Sequence, residues 1–286
     1  MKPKLQYAGA MAAFGTISLF VRSIPLSSGM LALMRAAIAA AFLMLLRAAA
    51  GKPVRLRQLG RDALPLLLSG AAMGFNWILL FEAYKHTTVS VATLSYYFAP
   101  VIVTAVSAVA FRERLTARQL ACFAGSTAGL VLVIGLNNLG GGVNLTGVGF
   151  GLGAAALYAS VILLNQRIRG VGGVDRTVLQ FLAAILVLTP YLLLTEGLHM
   201  ARMTLTGWLC LAAVGLFHTG AMYVVYFSSL QKLRGQEAAI LSYIDPLVAV
   251  IVSFAVFHEP ILPLQLVGGA LILGCTLLNE LRPARS

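Results

Sequence analysis

Between residues 5 and 281 the chain reads as ten apolar stretches, separated by clusters of charge, proline and glycine. They run 5–22, 29–47, 63–85, 87–111, 117–136, 147–166, 177–195, 205–231, 235–257 and 261–281. A helix needs roughly 20 mostly apolar residues to cross the hydrocarbon core of a bilayer. Helices are favoured over a barrel because the runs are unbroken, where barrel strands alternate apolar and polar residues. The longest strongly polar interval, 47–62, is too short to fold as a soluble domain. Composition closes the alternative: 10% of residues are charged, against about 25% in a soluble domain. The expected fold is an all-α integral membrane protein of ten transmembrane helices, and its function must be built from the spans and their short links.

The formal net charge of +12 raises the question of nucleic acid, and its distribution answers it. With the amino terminus in the cytoplasm, 17 of the 21 basic residues fall in cytoplasmic segments; Arg22, Lys85 and Arg202 fall outside and Arg35 lies within a span. This is the positive-inside asymmetry, repeated loop after loop. It predicts a multi-pass protein of the cell (inner) membrane with both termini cytoplasmic, in contact with membrane lipid and with no nucleic-acid partner. Met-Lys-Pro-Lys before the first stretch imitates a signal peptide, but a counterpart deep in the chain marks that stretch as a retained span. Cys122, Cys210 and Cys275 form no CxxC or Cys/His cluster and read as apolar packing, with no metal and no cofactor expected. Asn144-Leu-Thr matches the glycosylation pattern only as a common accident.

Shifted by 146 residues, the chain meets itself. Gly74 falls on Gly220, Phe81 on Phe227, Ala92 on Ala238, Tyr97 on Tyr243, Pro100 on Pro246, Glu113 on Glu259 and Gln119 on Gln265. VATLSYYFAPVIVTAVSAVAFRE and EAAILSYIDPLVAVIVSFAVFHE align without a gap, and at a slightly smaller offset AAFGTISLF pairs with AALYASVIL. Residues 1–140 and 141–286 are therefore two repeats of five spans. Five is odd, so the second repeat enters the membrane from the opposite side. Secondary transporters use such inverted-topology repeats, with a substrate site near the midplane where the repeats meet.

These half-motifs resemble the EamA family of the drug/metabolite transporter superfamily. Each has small residues and aromatics, then a mid-span proline (Pro100, Pro246), an acid thirteen residues later (Glu113, Glu259) and a glycine-rich final span. Phe14-Gly15 and Tyr158-Ala159 look like degenerate forms of the family's aromatic–small pair, and Arg35 matches a basic residue often seen in the second span. The resemblance covers nearly the whole chain. It implies ten helices, a central cavity lined mainly by the first, third and fourth spans of each half, and export of small metabolites.

Candidate residues follow from the cost of polarity in lipid. Pro100 and Pro246 each remove a backbone donor and read as kinks that bend during gating, or as static packing kinks. Asp245 lies deep in a span, where an ionisable group usually faces the bundle interior; it suits proton coupling, attraction of an ammonium group, or a structural hydrogen bond. His218, mid-span, suits proton coupling or a polar substrate contact, or a satisfied core position. Asn76, Trp77, Tyr96 and Tyr97 in the first half, and Tyr158, Tyr223, Tyr226 and Tyr243 in the second, are candidate cavity walls whose rings favour ring-bearing or ammonium ligands. Trp77 and Tyr223 are repeat partners. Arg35 sits inside the second span, where it snorkels or pairs structurally, holds a carboxylate, or helps gate. Glu82 with Lys85 and His86 reads as an interfacial ion pair, and Gly70-x-x-x-Gly74 and Gly125-x-x-x-Gly129 as close helix crossings.

The expected function is a secondary-active transporter, exporting a small metabolite such as an amino acid or derivative by alternating access. The alternative is a proton-coupled exporter of organic cations or drugs, served equally well by Asp245 and the aromatic residues. An enzyme is disfavoured, since neither HExxH nor a nucleotide-binding loop is present. A channel would more naturally show a filter or a ring of like charges. The expected partners are a small-molecule substrate and lipid, with the chain acting as a monomer or a homodimer.

Overall fold

The structure, a computed structural model, describes residues 3–52, 60–110, 116–134, 145–168, 170–171, 173–200, 202–230, 232–233 and 241–280. Glu113, Asn144 and the outermost ends of several apolar stretches lie outside the described residues. The elements in order are α1 (Pro3–Gly15), α2 (Ile17–Val21), α3 (Ser28–Ala49), α4 (Ala63–His86), α5 (Val89–Tyr96), α6 (Ala99–Ala110), α7 (Ala117–Ile134), α8 (Leu145–Asn165) and α9 (Gly173–Thr195). There follow α10 (Leu205–Ala212), a π-helical segment (Ala213–Ala221), α11 (Met222–Leu230), α12 (Ile244–Ala255) and α13 (Pro263–Glu280). The described residues contain no strand.

Among the described residues, the apolar stretches are largely helical, several of them broken into shorter segments. Five helical segments among the described residues are long and apolar enough to cross a membrane: Ser28–Ala49, Gly60–His86, Leu145–Asn165, Gly173–Thr195 and Leu205–Ser229. Four of the helix starts carry a hydroxyl residue just before the apolar run, Thr116 among them, whose Oγ1 accepts the Gln119 N–H at 3.3 Å. At the other three, Ser27, Thr88 and Thr204 accept the N–H groups of Met30, Val91 and Gly207 at 3.1, 3.2 and 3.2 Å; each cap satisfies a donor that has no partner within the helix. The outside of the bundle is apolar, with Leu194 88% exposed and Leu45, Leu205 and Phe254 more than half exposed. Such a surface suits lipid.

The breaks differ from a simple proline kink. The fourth stretch stops at Tyr96 and restarts at Ala99, and α12 starts at Ile244 after a turn at Tyr243. Pro100 and Pro246 thus stand in the first turn of a new helix rather than inside a continuous one. A proline is well placed there, because an N–H in that turn has no intrahelical acceptor. Two irregularities have no proline: the change from α1 to α2 at Thr16, and the π-helical run Ala213–Ala221. Conversely Pro190 is accommodated inside α9.

The two halves interleave. Helix α4 packs along α8 and α9, α3 along α9 and the π segment, α1 against α11 and α12, and α5 against α8 and α12. Helices α7 and α13 form a pair of their own. Small residues set these distances. A Cβ on Gly70 would lie 2.5 Å from both the Gln180 carbonyl and the Ala183 methyl, and one on Gly129 would lie 2.6 Å from the Gly268 carbonyl. Gly125 faces Cys275 Sγ, and all three cysteines are free thiols.

Candidate functional site

The interleaved helices enclose a cavity of about 580 Å³. Its wall takes residues from α1–α6, α8, α9, α11, the turn at Ser242–Tyr243 and the start of α12. Helices α7 and α13 contribute none. Besides the first, third and fourth stretches of each half, the second stretches add Arg35 on α3 and Thr177 and Gln180 on α9.

Two charged side chains line this cavity, Arg35 and Asp245. Arg35 is 5% exposed. Its Nε donates to Thr219 Oγ1 at 2.6 Å, and its guanidinium carbon stands 4.3 Å from the centroid of Trp77 and 5.8 Å from that of Phe81. The π segment supplies that acceptor: Thr219 Oγ1 in turn donates to the Val214 carbonyl at 2.7 Å, five residues back. Asp245 accepts the Tyr97 hydroxyl on Oδ2 at 2.8 Å, so the two broken helices meet through a side chain of each. The backbone of α1 approaches from the other side, where a Cβ on Gly15 would stand 2.5 Å from the Asp245 carbonyl oxygen.

Much of the remaining wall is made of rings. Tyr96 and Tyr158 lie 5.3 Å apart, Phe14 and Tyr223 5.4 Å, Tyr7 and Tyr226 5.4 Å, and Trp77 reaches Tyr223 through Phe181. Tyr243 and Pro100 also line the cavity. Trp77, Tyr97, Tyr158, Tyr223, Tyr226, Tyr243, Asp245, Arg35 and Pro100 are thus brought together, with Tyr96 among them.

Asn76, His218 and Pro246 stand outside this lining. Asn76 is buried and donates Nδ2–H to the Ala154 carbonyl at 2.6 Å, riveting α4 to α8. His218 is fully buried, with Nε2 3.1 Å from Thr16 Oγ1 and Nδ1 3.2 Å from the Ala213 carbonyl, and the rings of Phe20 and Phe217 against it. Its place is the joint between the α1–α2 break and the π segment. Pro246 is buried, next in sequence to the lining residue Asp245.

The sequence reading missed a polar edge. Gln180 Nε2 donates to Ser69 Oγ at 2.9 Å and to Asn165 Oδ1 at 2.8 Å, and Tyr84 lines the opposite end of the cavity. Beyond Tyr84 that end carries an ion-pair cluster. Arg22 Nη2 pairs with Glu259 Oε1 at 2.6 Å and donates to the Tyr84 carbonyl at 3.2 Å, with its guanidinium 4.3 Å from the Phe257 centroid. Glu259 Oε2 accepts the Val89 N–H at 2.9 Å and the Ser253 hydroxyl. Glu82 holds Lys85 at 3.0 Å and His86 at 3.5 Å nearby. No group of three or more metal-ligating side chains gathers among the described residues.

A family model, that of the EamA-like transporter family, matches residues 5–135 and 145–280. The chain belongs to the EamA-like transporter family. YxxF, an uncharacterized transporter of Bacillus subtilis (strain 168), is 29% identical over 246 residues, 85% of this EamA-like chain and 78% of its own. An uncharacterized transporter of Archaeoglobus fulgidus is 30% identical over 269 residues, 92% and 91% of the two chains. RhtA, a threonine/homoserine exporter of Escherichia coli (strain K12), is 26% identical over 225 residues, 77% and 72%. A solved crystal structure superposes with a TM-score of 0.66 over 96% of each chain at 19% identity, a likeness of fold. The EamA-like chain is accordingly a membrane transporter by family, and its helical, apolar-surfaced bundle agrees with that setting.

Proposed function

We propose that this protein is a secondary-active carrier that exports a small metabolite, such as an amino acid or derivative, by alternating access. The observation that carries the reading is a cavity of about 580 Å³, lined by rings and two opposite charges, with the Arg22–Glu259 pair bridging helices at the Tyr84 end. A volume of this order suits a small organic solute. The name of RhtA, a threonine/homoserine exporter, supports an amino acid as the class to try first.

In this reading the chain is ten spans in two inverted repeats, 1–140 and 141–286, placed in the cell membrane with both termini cytoplasmic. That topology puts Arg22, Tyr84 and Glu259 at the outer face, and Tyr7, Asn165, Gln166 and Phe227 toward the cytoplasm. The cavity wall includes the cytoplasmic set as well as Tyr84, and we read this arrangement as the inward-facing state because the Arg22–Glu259 pair spans the Tyr84 end. The helix breaks at Tyr97–Phe98 and Tyr243 serve as hinges, each steadied by the proline that follows. Arg35 counts against the organic-cation alternative, because a permanent cation would enter a cavity that already holds a buried guanidinium. Proton coupling through Asp245 belongs to the same proposal.

The test is counterflow in liposomes holding the purified protein, with threonine, homoserine, leucine and phenylalanine as labelled solutes. Saturable, trans-stimulated exchange is the expected result. Unsaturable conductance, or hydrolysis without transport, overturns the reading. A pH gradient that fails to drive uptake of an exchanging solute removes the proton from the cycle and leaves the carrier intact.

A further inference from the structure

We infer that Arg35 and Asp245 are the two poles of a zwitterion site, Arg35 for a carboxylate and Asp245 for an ammonium group, with the rest of the ligand against the rings of the same cavity. The inference rests on the carrier reading and adds how its ligand is held.

Each pole is half anchored and half free. Arg35 is fixed at Nε by Thr219 and laid over Trp77. Its two terminal nitrogens carry no hydrogen bond or ion pair among the described residues. They remain as the fork that matches a carboxylate bidentately. Asp245 is fixed at Oδ2 by Tyr97, and its Oδ1 has no donor among the described residues. Both residues line the one cavity, yet they form no ion pair with each other.

A buried charge is normally paired, because its hydration has been lost. Here a cation and an anion each leave one edge open to the same space, so the missing partner is a ligand with both charges. A monocation would satisfy Asp245 and leave Arg35 unpaired and repelled. A monoanion would do the reverse. Only a zwitterion satisfies both, and amino acids are the class of zwitterion to test first. Trp77 has a different task from the one its ring type suggests: its face is occupied by Arg35, so it orients the cation pole rather than receiving a ligand ammonium.

The experiment is competition binding to purified protein in detergent. Leucine, phenylalanine, threonine and homoserine are ranked first. The tightest is then compared with its decarboxylated amine and its deaminated acid. In the wild type the amino acid is expected to bind at least tenfold more tightly than either analogue. R35Q is expected to abolish the advantage over the amine only, and D245N the advantage over the acid only. Equal binding of amino acid and amine by the wild type overturns the inference without any variant, which covers the case of R35Q failing to fold. An unchanged amino-acid affinity in folded R35Q also overturns it. If none of the four binds while another solute shows saturable counterflow, the pole assignment falls and the carrier stands. If no solute exchanges, both fall.

Discussion

Arg22 Nη2 and Glu259 Oε1 meet at 2.6 Å across 237 positions of sequence, and the Glu259 carboxylate also accepts from Val89 and Ser253. Four segments are thereby tied at one end of the cavity: the end of α2, the α4–α5 junction, α12 and the residues after it. The pair is partly exposed, with side chains 30% and 12% accessible, so its own worth is about 1 kcal/mol or less.

Even that shifts a two-state equilibrium by roughly fivefold. In a variant with Cys122, Cys210 and Cys275 replaced and Leu80→Cys placed in the cavity wall, Arg22→Gln is expected to speed labelling by an impermeant thiol reagent added outside. The measure is labelling rate in intact cells. A rate equal to that of the Arg22-containing parent would show that the clasp does not hold this end closed.

Gly15 is where α1 touches α12. A methyl there would sit 2.5 Å from the Asp245 carbonyl oxygen and 2.7 Å from Val248 Cβ. Both are fixed atoms of a packed helix, so α1 must move. Overpacking of this kind costs about 1–3 kcal/mol, and Gly15→Ala should lower the melting temperature in detergent. Gly9, on the same helix, has nothing within 4 Å of its added Cβ. Gly9→Ala should be neutral or stabilise by up to about 1 kcal/mol, the helix-propensity difference. Similar melting temperatures for the two variants would contradict the packing at Gly15.

The helices were legible because lipid demands long apolar runs with internally satisfied backbones, and those runs are visible one residue at a time. Arg35, Asp245 and most of the ring-bearing wall were legible for the same reason, since depth makes their cost visible. Asn76 and His218 looked alike by that criterion and differ in place. Their partners are the Ala154 carbonyl and the Thr16 hydroxyl, groups that any sequence offers in quantity, so nothing local distinguishes a rivet from a wall. The π segment has no proline to announce it. Gln180, a lone amide inside an apolar run, was a signal available but unread.

That distinction can be measured. Asn76→Ala removes a buried hydrogen bond between α4 and α8, a loss of about 1–3 kcal/mol once the remaining group is left unpaired. His218→Leu removes the contact between Thr16 and the π segment. Both variants should melt at lower temperature and keep the ligand affinity of the wild type within about twofold, since neither residue lines the cavity. A tenfold loss of affinity in a variant that melts normally would return that residue to the site.

Thr219 is the residue through which the π segment reaches the cavity. In a regular α-helix a threonine hydroxyl bonds back to the carbonyl three or four residues earlier; here Thr219 donates to Val214, five back, and accepts Arg35 Nε at 2.6 Å. Thr219→Val keeps the shape, leaves the Nε–H of a buried cation without its acceptor, and frees the guanidinium to turn. We expect a rise in KM of about tenfold for a zwitterionic solute, corresponding to roughly 1.4 kcal/mol, with little change in the maximal exchange rate. Thr219→Ser restores the hydroxyl and should restore KM. If Ser and Val behave alike, the hydroxyl does not position Arg35, and the residue serves packing alone.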